Sequence, residues 1–237
     1  MPLRRHPALL LVPFSFLLVL SMRLPLSPSE RPLYKKMIAL TFDDGPRPDG
    51  TAQLVDLLER HHVRATFFVV GKMAARYPSL VRLLAHEGHE IAGHSWSHSD
   101  IRTMSEKQMK WELDRTRLLI EKITGVQTWM FRTPGGSEHY IRSRFKVPPE
   151  YQLVLWDVHS LDNEGISPDE IVDRIETQTK DGDVLLLHNG IANTVTALEK
   201  AIPFLREKGF EFVTVSELSR YQLADSRLYQ KHFICRG

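Results

Sequence analysis

Cysteine is almost missing from this sequence: the 237 residues contain one, Cys235, near the C-terminus. A disulfide framework and a cysteine-built zinc site are both excluded, and Cys235 reads as a free thiol on a terminal tail. Excess charge is also missing. Lysine and arginine total 31 against 29 acidic residues, a net charge of +2, without the basic surplus that phosphate binding draws on. Nucleic acid is therefore not expected as a partner. No internal repeat stands out, and no apolar run reaches the roughly 20 residues of a membrane span. What is present, 42% hydrophobic and 25% charged residues, suits one globular domain large enough for an enzyme's core.

The N-terminus is the exception to that globular character. Arg4 and Arg5 precede an apolar stretch from Ala8 to Met22, and Arg23 closes it. At about 15 residues it is short for a span and fits the apolar region of an export signal, either cleaved or kept as a short anchor. Residues 24–34, rich in proline and serine, form a linker. A folded domain is expected over 35–220, followed by a mildly basic tail, 221–237. The protein is expected to be exported and monomeric, touching membrane only through residues 1–23 if they are retained.

Within the domain, strand and helix signals alternate. Strands are expected at Met37–Phe42, Ala65–Val70, Glu90–Gly93, Trp129–Phe131, Tyr151–Trp156, Val184–Leu187 and Phe210–Val215. Helices are expected from Thr51 to His61, through Leu80 to His86, from Ser105 to Gly125, after Ser167, and from Asn193 to Glu207, where Pro203 should introduce a kink. Ser105 with Gln108, and Ser167 with Pro168 and Glu170, carry helix-start signals; Gly125 carries a stop. Seven strands alternating with helices imply a parallel sheet, either open or wound into a barrel.

The chemistry-bearing residues fall at the ends of these strands, where parallel α/β folds build their sites. Asp43 and Asp44 follow the first strand, His94 the third, Arg132 the fourth and His188 the sixth. His94 and His98 are four apart; on a helical turn both imidazoles would share a face and could share a metal. Such a pair alone is more often a surface accident. The TFDDGP segment offers two carboxylates, which on a strand would point to opposite faces and take separate roles. Two imidazoles, one carboxylate and an open position make the ligand set of a catalytic zinc site. Taken singly, His188 reads as a packed histidine and Arg132 as a surface ion-pair partner. His61, His62, His86 and His89 read as solvated.

Four motifs in order, TFDDGP, HSWSH, RTPGG and LLLH, resemble those of the polysaccharide deacetylases of carbohydrate esterase family 4, the NodB-homology domain, across about Met37 to Leu218. The resemblance implies a distorted (β/α) barrel of about seven parallel strands. It implies one divalent metal ion, Zn²⁺ or another divalent transition metal, held by Asp44, His94 and His98. It further implies Asp43 as catalytic base, Arg132 as the group positioning that base, and His188 as catalytic acid. Asp162 would keep His188 protonated, the Gly135 N–H would hold the oxyanion, and Leu186 would form an apolar wall for the acetyl methyl group. One segment departs: where the family often has Asp-x-x-Asp-Trp, His159 replaces the first acid and Asn163 the tryptophan. The implied substrate is an N-acetylated glycan such as peptidoglycan or a chitin-like oligomer. O-acetyl xylan, a small amide, or glycan binding with weak turnover are the alternatives.

Overall fold

The sheet is organised around one strand, β1 (Lys36–Gly45), whose middle is buried on both sides, as expected when helices cover a parallel sheet. This computed structural model describes residues 35–136, 147–224 and 233–234. The expected leader and linker, Cys235 and most of the expected tail lie outside them.

The other strands are β2 (Thr66–Val69), β3 (Glu90–Gly93), β4 (Met130–Phe131), β5 (Gln152–Val154), β6 (Val158–His159), β7 (Val184–His188), β8 (Phe210–Phe212) and β9 (Phe233–Ile234). Their order is β6-β7-β1-β2-β3-β4-β5-β9, with β8 also paired to β1. Every pairing is parallel except β5 with β9. All seven expected strands are present; β6 and β9 are additions. Residues 155–157 alone separate β5 from β6, yet these strands stand near opposite ends of the order. Four peptide units span at most about 14 Å, so the sheet must curl until those edges approach. The result is the distorted barrel.

The helices are α1 (Thr51–Arg60), α2 (Gly71–Arg76), α3 (Pro78–His86), α4 (Glu106–Thr124), α5 (Pro168–Gln178), α6 (Ala192–Glu207) and α7 (Val215–Ala224). Ser105 and Ser167 each form a complete capping box, with Gln108 and Glu170 respectively, and Gly125 ends α4 with a left-handed φ of 74°. The single helix expected before His86 is two, divided where Pro78 starts the second. α6 runs through Pro203 as one helix. α7 continues past residue 220, across the expected start of the tail. Leu54, Leu57 and Leu58 of α1, Ile171 and Ile175 of α5, and Leu198, Ile202 and Leu205 of α6 pack on the outer face of β1, β2 and β7. Among the described residues, no helix is long and apolar enough to cross a membrane.

Candidate metal centre and active site

The interior of the curled sheet holds a fully buried arginine. Arg132 follows β4; a surface ion-pair partner when taken singly, and the group positioning Asp43 by the family resemblance, it is 0% exposed. Its Nη1 donates to Thr41 Oγ1 and to Asp43 Oδ1, each at 2.8 Å, while Nε and Nη2 donate to the carbonyls of Val154 and Leu155. The guanidinium carbon also lies 4.1 Å from the Phe68 ring centroid. Burial pulls the guanidinium pKa down, and the facing Asp43 carboxylate opposes that pull. A planar cation with five donors suits this place because each edge meets an oxygen.

Asp43 and Asp44 do not diverge as strand alternation predicts. Asp44 has a φ of 70°, and the β1–β2 register shifts between Phe42 and Gly45. The left-handed residue turns the second carboxylate back toward the side of the first. His94 Nε2 consequently lies 3.7 Å from Asp43 Oδ2 and 3.4 Å from Asp44 Oδ1.

His94 and His98 meet through a loop, not the helical turn their spacing suggests. Ser95 and His98 both have a φ of 58°, conformations uncommon for residues with a Cβ and often found at functional sites. The loop is tied down on three sides. The Ser95 and Trp96 carbonyls accept from the Gly71 and Lys72 amides at the start of α2. The buried Glu112 carboxylate of α4 accepts from the Ser97 amide and hydroxyl at 2.7 and 2.8 Å. Within the loop, the His98 amide donates to Ser95 Oγ. His94 Nδ1 is 2.9 Å from the Arg132 carbonyl. A carbonyl only accepts, so Nδ1 carries the proton and Nε2 presents a lone pair.

Asp44, His94 and His98 each offer one ligand atom, all within 4.8 Å of one another. Asp44 Oδ1 is buried yet accepts no hydrogen bond, although His98 Nε2 stands 2.9 Å away. The imidazole nitrogens approach this oxygen outside hydrogen-bonding geometry. Burial alone would raise the Asp44 carboxyl; positive charge at His94 and His98, in the place a cation would take, outweighs it and holds the carboxylate well below its usual range. An oxygen left without a donor among converging nitrogens fits a divalent cation, and the N₂O donor set fits zinc. Partial exposure of Asp44 (37%) and His98 (44%) leaves the centre open on one side.

His188 ends β7, beside Asp43 in register. Its Nδ1 lies 2.7 Å from Asp162 Oδ1, and its backbone amide donates to Asp162 Oδ2 at 2.8 Å. Asp162 also accepts from Thr194 Oγ1 at 2.5 Å. Burial opposes charge on His188, but the Asp162 carboxylate overcomes it and raises the pKa. Leu186, buried two residues before His188, shares its strand face. Gly135 lies exposed in a turn after β4 with a φ of 70°. Gly136 beside it has no room for a side chain, since a Cβ would fall 1.8 Å from Trp156 Cη2. His159 ends β6, with Nδ1 accepting from the Leu161 amide and its ring centroid 6.4 Å from that of His188.

All nine expected site residues thus lie at one end of the sheet. Thr194, Glu112 and Asn189 were not anticipated. Asn189 Oδ1 accepts from the Arg47 amide and Thr51 Oγ1, tying the loop after Asp44 to that after His188. None of the three carries a motif signal; each acts through a partner distant in sequence. His89, expected to be solvated, is 7% exposed and packs against Phe67.

A family model described as polysaccharide deacetylase matches residues 30–145. A peptidoglycan-N-acetylglucosamine deacetylase of Bacillus cereus is 39% identical over 201 residues, covering 81% of this chain and 92% of that protein. The peptidoglycan-N-acetylmuramic acid deacetylase PdaC of Bacillus subtilis is 37% identical, over 78% of this chain and 39% of its own length. Among solved structures, a T48 deacetylase with substrate aligns with a TM-score of 0.73 and 35% identity, over 79% of this chain and 92% of that one.

Proposed function

Because this chain belongs to the polysaccharide deacetylase family, we propose that it hydrolyses the N-acetyl group of an amino-sugar glycan, peptidoglycan or a chitin-like polymer, to acetate and free amine. The observation carrying this reading is the bare, buried Asp44 Oδ1 facing two imidazole nitrogens. Asp44, His94 and His98 would hold the metal. A divalent cation bound there supplies Lewis acidity, polarising the acyl oxygen and lowering the proton affinity of the attacking water.

The chain's own groups do the rest. Asp43 takes a proton from the water as oxygen attacks the carbonyl carbon; Arg132 holds Asp43 Oδ1, leaving Oδ2 on the side of His94. The Gly135 N–H donates to the oxygen as it becomes an oxyanion, a contribution of about 10²–10³ in rate for such a donor. His188, kept charged by Asp162, gives a proton to the nitrogen as the C–N bond breaks. Leu186 lines the space for the acetyl methyl group. Protons balance: Asp43 gains one, His188 loses one, and acetic acid and amine leave, ionising to acetate and ammonium.

The same reading makes residues 1–23 an export signal, 24–34 a linker, 35–220 the catalytic domain and 221–237 a tail, with a monomer acting in the cell envelope. The test is acetate release from peptidoglycan, chitooligosaccharides and acetylxylan. Release from either N-acetylated glycan supports the reading. Release from acetylxylan alone would make the protein an O-acetyl esterase, and glycan binding without release under any added divalent metal would make it a binding protein.

A further inference from the structure

Trp96 lies midway between His94 and His98 and is firmly seated. A Cβ on Gly71 would stand 2.4 Å from its Cε3, and its carbonyl accepts from the Lys72 amide. The Arg115 guanidinium of α4 lies over this indole, 3.7 Å from the centroid, and 4.9 Å from the centroid of Trp111, one helical turn earlier. Trp111 is 51% exposed.

Arg115 makes no ion pair among the described residues, and its acidic neighbours on α4 are engaged elsewhere. Glu112 is bonded to Ser97, Asp114 to Lys110 and Tyr151, and Glu121 to Arg117. Lys107, a turn before Trp111, is exposed and also makes no ion pair among them. A guanidinium stacked on indoles is fixed in its plane while its N–H groups point outward along the edge, where a carboxylate can accept two of them. An exposed indole offers a flat apolar face for the C–H face of a sugar.

We infer that Trp96, Arg115 and Trp111 form a rim subsite for an acidic glycan strand, with a carboxylate on Arg115 and a neighbouring sugar ring against Trp111. The inference rests on the deacetylase reading of the adjoining centre. Trp96 belongs to the loop that carries both histidines, so the stack adjoins the metal centre through that loop. The paired contacts select a carboxylate-bearing glycan over a neutral one, because a neutral chain uses Trp111 and leaves the fork of Arg115 unmatched.

The test is retention of the metal-loaded Asp43→Asn protein on purified peptidoglycan, whose peptide stems carry carboxylates, and on neutral chitin, with Arg115→Gln or Trp111→Ala added. With turnover slowed by that substitution, retention reads the rim whether or not the wild-type protein releases acetate. Arg115→Gln should weaken binding to peptidoglycan about fivefold or more and to chitin less than about twofold; Trp111→Ala should weaken both about fivefold or more. Bound zinc, measured alongside, should stay at the parent level. Changes under about twofold on peptidoglycan in both variants would overturn the inference, as would zinc lost in parallel with glycan, which would reduce the stack to a brace for the metal loop.

Discussion

Arg132 and Asp43 are joined by a 2.8 Å hydrogen bond inside the curled sheet, and neither side chain is more than 5% exposed. Through its side chain Arg132 holds one oxygen of Asp43, the proposed base; through its carbonyl it receives His94 Nδ1 and so presents Nε2 toward the carboxylates. One residue therefore aligns both halves of the centre, which explains why an arginine is buried at all. Removing one partner of a buried ion pair costs about 3–5 kcal/mol, because the other charge is left without compensation.

Arg132→Met should therefore lower stability by about that amount, since Asp43, Thr41 and two carbonyls lose their donor together. Urea unfolding of the metal-free protein measures it. Arg132→Lys should recover part of the stability but little activity, because an ammonium cannot reach all four oxygens in one plane.

His188 must be protonated to act as an acid, and its pKa is raised above 6.5 against the opposing effect of burial, by Asp162. Activity should fall as pH rises through that raised value. Any stability from the pair is fully present below pH 6.5 and lost over the same rise. In Asp162→Asn the supporting charge is gone and burial dominates, so the alkaline limb of the kcat/KM profile should move to lower pH. A limb that stays in place would assign it to another group.

Buried His89 behaves in the opposite sense. Desolvation lowers its pKa from 6.5 to about 4, so the folded state resists a proton that the unfolded chain accepts. Stability should decline as pH falls from about 6.5 to about 4, by roughly 3 kcal/mol in all. In His89→Gln that decline should shrink, as followed by melting temperature at stepped pH.

What could be read from the sequence was local or periodic. The caps at Ser105, Ser167 and Gly125 were legible because their bonds close within a few residues. The strands were legible as apolar runs, and their ends collected five of the nine expected site residues, Asp43, Asp44, His94, Arg132 and His188; His98 came from its spacing to His94, and Asp162, Gly135 and Leu186 from the family resemblance. The failures share a physical cause, namely backbone and burial decided by distant partners. The left-handed turn at Asp44, which defeats strand alternation, accompanies a register shift against β2. The loop conformation that brings His98 to His94 depends on α2 and on Glu112 of α4. The burial of Arg132 depends on the sheet curling so that Thr41 and Asp43 of β1, with β2 and β3 between, face it together with the Val154 and Leu155 carbonyls. His89 looked solvated among charged neighbours because its aromatic partner, Phe67, lies on β2, distant in sequence.

The central claim is that Asp44, His94 and His98 hold one catalytic cation beside the base Asp43. The most direct measurement is zinc content and acetate release from N-acetylated glycan, taken together on wild type, Asp43→Asn and Asp44→Ala, before and after chelation. The account predicts one zinc per wild-type and Asp43→Asn chain, with the latter slower by about 10²–10⁴. Asp44→Ala should lose both metal and activity, and chelated wild type should regain activity when zinc returns. Undiminished acetate release from wild-type protein shown to be free of metal would contradict it.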